Sequence, residues 1–275
     1  MKTLLHFAIS LTMVISLGFC VKADEEQLSA SIAIGYGSYS SIMAGGSEQN
    51  FYLLPRWSYY HNNFYIENLD LGYNFAELND WSFDLTSKQS FDSLLFRGDS
   101  ISDALLRGIM ANPDLPLNAP FNTPLQDLLT PQTRRSSYLA GASVFWHSEH
   151  FQFKSAMHTD ITSVHNGYEF SNELRGLYQT EHFSIATTAG IRYLDKKYSD
   201  YYFSVTHADT TGSYQFLPGA SWLPSFKLET SWKLNEELRI LLHARREWMP
   251  SNFDGSIHIV KQHHDIMFMG LIWMP

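Results

Sequence analysis

Between residues 222 and 234 the chain runs Trp-Leu-Pro-Ser-Phe-Lys-Leu-Glu-Thr-Ser-Trp-Lys-Leu. Trp222, Pro224, Phe226, Leu228, Thr230, Trp232 and Leu234 share one parity; Ser225, Lys227, Glu229, Ser231 and Lys233 share the other. Successive side chains of a strand point to opposite faces, so this period of two predicts one apolar and one polar face. The same alternation returns at 138–147, 183–193 and 238–245. About twelve strands are predicted: 28–36, 51–61, 63–75, 80–89, 137–147, 150–161, 168–180, 182–194, 198–207, 222–234, 237–247 and 262–273. Many approach the ~9–11 residues that a tilted strand needs to cross a bilayer. The short breaks Asn62-Asn63, Glu149-His150, Glu181-His182 and Asn235-Glu236 impose antiparallel neighbours. The expected fold is all-β, an antiparallel transmembrane β-barrel of about 12 strands in one domain over 24–275. A soluble β-sandwich or lipocalin-like barrel alternates in the same way.

Export is expected. Lys2, the apolar stretch Leu4 to Cys20 and the exit Val21-Lys22-Ala23 have the form of a signal peptide over 1–23. Past it no cysteine remains, which excludes a disulfide framework and a thiol nucleophile. There, 17 basic side chains stand against 28 acidic ones, a net of −11 that disfavours nucleic acid as a partner. Aromatics, 15% of the chain, gather near predicted strand ends: Trp57, Tyr59, Trp81, Trp146, Tyr193, Trp222, Trp232, Trp248 and Trp273. Amphipathic rings at both rims of an apolar band are what a membrane interface selects. Outer-membrane lipid is therefore the expected surroundings. In 51–75, Phe51, Leu53, Pro55, Trp57, Tyr59, Leu69, Leu71, Tyr73 and Phe75 should face lipid. Arg56, Ser58, Asn68, Asp70 and Asn74 should face inward, while Glu67 falls on the lipid parity and calls for a bulge or a rim position.

Several motifs resemble the MltA-interacting protein (MipA)/OmpV family of outer-membrane proteins. Ile34-Gly35-Tyr36, Gly45-Gly46-Ser47-Glu48, Leu54-Pro55 and FYIENLDLGYNF are similar to its early strands and loop. LFRGDSISDALLRG, YYFSVTHAD and PSFKLETSWKLNEELRILLHARREW follow in the family's order across nearly the whole chain. The resemblance implies an outer-membrane barrel that tethers a murein lytic transglycosylase and a bifunctional penicillin-binding protein.

Residues 90–136 break the alternation and carry Pro113, Pro116, Pro120, Pro124 and Pro131. Ser100-Ile101-Ser102-Asp103 has the form of a capping box ahead of the helical stripe Ile101, Ala104, Leu105, Gly108 and Ile109. Thr123-Pro124 suggests a second short helix. This helical and proline-rich insert is expected to plug the barrel or to dock a periplasmic partner through Leu117, Leu125 and Leu128. With periplasmic termini and four strands before it, it would lie in the periplasm.

No catalytic, cofactor or metal site is expected. In HSEH, His147 to His150, adjacent strand residues point to opposite faces, and no third orienting group is evident. HTD at 158–160 and HHD at 263–265 could offer metal ligands at alternate positions, although polar-face histidines more often line a lumen. The polar lumen is expected from Arg56, Arg192, Lys227, Glu229 and Arg239, with Arg245 and Glu247. Two functions follow: a scaffold for murein enzymes, or a small-solute pore or envelope-stress-related barrel. An outer-membrane hydrolase is less favoured.

Overall fold

The computed structural model describes residues 23–42, 49–68, 70–90, 92, 134–207, 209 and 214–273. Residues 1–22 of the expected signal peptide lie outside them, as do 93–133, which hold the expected helices and Leu117, Leu125 and Leu128. Twelve antiparallel strands close into a barrel in which chain neighbours pair and β1 meets β12. In order they are β1 Ala23–Tyr39, β2 Gln49–Asn62, β3 Phe64–Glu67, β4 Asp70–Leu78, β5 Trp81–Gln89 and β6 Tyr138–His147. Then come β7 Phe151–Asp160, β8 Tyr168–Gln179, β9 Phe183–Leu194, β10 Ser221–Lys233, β11 Leu238–Trp248 and β12 His263–Trp273. On β10 Trp222, Phe226 and Trp232 are exposed outward and Leu228 shares their parity, while Lys227 and Glu229 are half-buried inside.

The strand count is as expected, but its composition is not. The predicted strand 198–207 is a helix, α1 Lys196–Phe203. Asp195 caps it, accepting the backbone N–H groups of Tyr198 at 3.0 Å and Lys197 at 3.3 Å. Tyr198 and Tyr202, four apart, then fall on one face and are fully buried. The predicted strand 63–75 is two strands, β3 and β4, joined by a turn in which Asn68 takes φ 54°. Asn68 tolerates this left-handed conformation, and its Oδ1 accepts the N–H of Trp57 at 3.1 Å. The turn also resolves Glu67: it uncouples that residue's parity from Leu71, so Glu67 faces inward and accepts from Tyr60 Oη.

That extra reversal moves the insert. Five strands precede it, so its flanks Ser90 and Arg134 lie at the end opposite Ala23 and Trp273. The longer connections 161–167, 195–220 and 249–262 share that end, and the short turns at 62–63, 79–80, 148–150, 180–182 and 234–237 share the other.

Phe51 also corrects the expected pattern. A register shift between Ile34 and Gly37 turns its ring inward, fully buried and stacked on Phe268 at 5.6 Å. Gly37 makes room: a Cβ there would lie 2.1 Å from the Phe51 ring. With Leu54, Leu241, Ile266 and Ile272 these rings form an apolar cluster inside the wall. A second cluster lies at the long-loop end, where α1 packs Tyr198, Tyr202 and Phe203 with Ile42, Leu139, Leu194, Leu223 and Phe253.

Candidate functional site in the barrel lumen

An eight-stranded barrel fills with side chains and a sixteen-stranded one leaves a channel, so at twelve strands the lining decides. The inward parity of β7 to β11 carries charge, and it gathers around two hubs. The first is Glu229, approached by Lys227 at 3.3 Å, Arg175 at 3.5 Å, Arg56 at 3.6 Å and His243 Nδ1 at 3.4 Å. Arg56 stands on β2, separated from β10 by β1, β12 and β11, so its ion pair is a chord across the lumen.

The second hub is Arg192, nearer the long-loop end. It donates to Asp92 at 3.1 Å, Glu169 at 3.3 Å and Glu247 at 2.9 Å. Lys88 also pairs with Glu169, and Arg245 with Glu247 at 3.0 Å. Tyr198 of α1 donates to Asp92 at 2.7 Å and bonds Ser90 Oγ at 2.6 Å, which ties the helix to this charged layer. Tyr202 bonds Ser137 Oγ at 3.0 Å, and Arg134 pairs with Asp209 at 3.0 Å. Residues just outside β5 and β6 thus hold the cap in place. Burial pushes the Tyr202 hydroxyl up to about 12. In the loop after β7, burial holds His165 below its ordinary value despite Asp160, Asp195, Asp92 and Glu169 nearby; its Nδ1 accepts the N–H of Gly167 at 2.9 Å.

Of the expected lumen residues, Arg56, Lys227 and Glu229 meet in one hub and Arg192 anchors the other. Arg239 stands apart among the described residues, toward the short turns, opposite Lys233 on β10. Sequence reasoning placed His243 only on the polar parity of its strand and missed Lys88, Glu169 and Arg175. Their signal was legible, since Glu169, Ser171, Glu173 and Arg175 lie on one parity of β8.

The histidine motifs separate. His147 faces inward, 3.3 Å from Ser82 Oγ, while Ser148 serves the turn to Phe151. His158 bonds Thr86 at 2.8 Å, while Asp160 accepts backbone N–H groups of Thr162, His165 and Asn166. His264 bonds the Ser40 carbonyl at 2.7 Å, and Asp265 on the outer face pairs with Arg246 at 2.6 Å. Among the described residues no three His, Cys, Asp or Glu side chains form a metal-ligand group.

The sequence model of the family described as MltA-interacting protein MipA matches residues 32–274. The chain belongs to that family. "Putative outer membrane protein YiaT" of Escherichia coli (strain K12) is 20% identical over 261 residues, covering 94% of this chain and 95% of that protein. Among solved structures, the NanC porin is 7% identical with a TM-score of 0.39, covering 89% of this chain and 99% of its own. A loop-deleted OmpT of Vibrio cholerae, an outer membrane protein, is 6% identical with a TM-score of 0.34, covering 91% and 99%. This family member is a closed antiparallel barrel of the outer membrane.

Proposed function

We propose that this MipA-family barrel is a non-conducting, non-enzymatic platform that holds murein-remodelling enzymes at the outer membrane. The observation that supports it is the lumen crossed by the Arg56–Glu229 ion pair, with α1 packed in an apolar cluster at the long-loop end. With ion pairs across its interior and an apolar cap at one end, such a barrel presents its rims to a protein partner. Outer-membrane barrels keep short turns in the periplasm, and here those turns carry Asp80, Glu149, Glu181, Glu236 and Glu237. An acidic rim suits a partner with a basic face, and its attraction weakens with salt. The family's description names a murein enzyme as the interacting protein. The insert, leaving from the opposite end, is replaced as the docking element by these turns.

Photo-crosslinking residues at Glu149 and Glu181 test this in growing cells, with Asn166 at the long-loop end as the control. The turns are expected to capture a lytic transglycosylase or penicillin-binding protein, less at high salt. Capture from Asn166 alone, or of neither enzyme from the turns, refutes the platform. The pore reading draws on the surplus of cations around Glu229.

A further inference from the structure

The two hubs differ in how they are balanced. Around Arg192, three carboxylates accept from its guanidinium at 2.9–3.3 Å, and Lys88 and Arg245 neutralise the excess. Around Glu229 one carboxylate faces three cations, Arg56, Arg175 and Lys227. Glu173, the next carboxylate, is shared between Lys154 and Lys227, which still leaves the two arginines with Glu229 alone. All three contacts to Glu229 are 3.3–3.6 Å, longer than the ~2.7–2.9 Å of a charge-assisted hydrogen bond. Donors are left over. Arg56 Nε and Arg175 Nε are buried without a hydrogen-bond partner, and Arg56 Nη2 has only its 3.6 Å ion pair to Glu229. His243 is fully buried, while the side chains of Arg56, Arg175 and Lys227 are 17%, 16% and 24% exposed, so lumen water reaches part of each.

Buried donors without partners cost free energy, and two guanidinium forks are shaped for a planar or tetrahedral oxyanion. We propose that the Glu229 hub is a binding site for a small solute bearing a phosphate or carboxylate group. Arg56 and Arg175 supply the donors and Lys227 adds charge. Glu229 acts as an internal competitor, holding the cations together when no anion is bound. Such a surplus is notable in a chain whose formal net charge is −9. The inference is independent of the platform reading, which crosslinking tests separately.

The experiment is titration calorimetry on the full-length barrel folded in detergent micelles. The probes are inorganic phosphate and glucuronate, with glucose as the uncharged control. Saturable heat with phosphate, glucuronate or both, and none with glucose, is expected, and the pair tells which group the site prefers. Arg175→Gln and Arg56→Gln should each weaken binding by about tenfold or more. Glu229→Gln should tighten it, because it removes the competing carboxylate. Arg246→Gln, on the outer wall, should leave it unchanged. Each variant is first checked for the heat-modifiable mobility of a folded barrel, and Lys227→Gln replaces either arginine variant that fails. No saturable heat with either anion overturns the proposal, as does binding that Arg175→Gln, Arg56→Gln and Lys227→Gln leave intact or that Glu229→Gln weakens.

Discussion

Leu228 and Lys227 are neighbours in the chain and belong to different solvents. One faces outward between Phe226 and Thr230, and the other contacts Glu229 inside. Leu228→Arg should cost about 2–4 kcal/mol near the bilayer midplane, read by urea unfolding from lipid vesicles. Lys227→Gln should cost far less, and equal costs would contradict the facing. This face was legible because β10 keeps its register from end to end. Phe51 was not legible, and Glu67 was legible only as a misfit that called for a bulge or a rim position. A one-residue slip changes face, and both lie beside a local event, the shift near Gly37 and the turn at Asn68, that parity does not announce. Gly37→Ala should therefore destabilise the barrel by about 1–3 kcal/mol through overpacking. Pairing it with Phe51→Leu should recover part of that loss; no recovery would mean that the ring is not the obstacle.

At the scale of elements, β3 and α1 carry the lessons. Four residues form β3, and among the described residues β2 has no strand partner on that side from 49 to 56. Asn68→Val should be costly, since a β-branched residue resists φ 54° and forfeits the Trp57 contact. Asn68→Gly should be milder, and the reverse order in refolding yield would count against the turn. The helix could have been found from Asp195 and the i, i+4 pair Lys196–Asp200, but tyrosines at 198, 201 and 202 also suit a strand. The cap it builds should respond to pH. Unfolded, His165 takes up a proton near 6.5, whereas burial delays uptake in the fold. Above that pH its contribution is fully present. As pH falls below it the unfolded state binds more protons, so stability drops. His258 is held low by burial in the same direction. Proteolysis of the long-loop end should thus rise between pH 7.5 and 5, less so in His165→Gln. Equal resistance at both pH values would contradict a cap resting on neutral imidazoles.

For the whole molecule, the fold class followed from alternation together with strand length and aromatic rims, while the contacts across the lumen depended on which inward residues meet. Arg56 and Glu229 are far apart in sequence and on strands that do not touch. Only closure of the barrel brings them together, and no spacing rule reports that. Asp92 and Tyr198, beyond the strands on a loop and a helix, are likewise distant in sequence and meet at the long-loop end. Closure of the lumen is the claim on which the platform reading stands, and planar-bilayer recording of the purified full-length barrel tests it most directly. The wild type should insert without steady ionic current, whereas Arg56→Ala combined with Tyr198→Ala, which removes the chord and loosens the cap, should conduct. A steady porin-like current from the wild type would contradict the account.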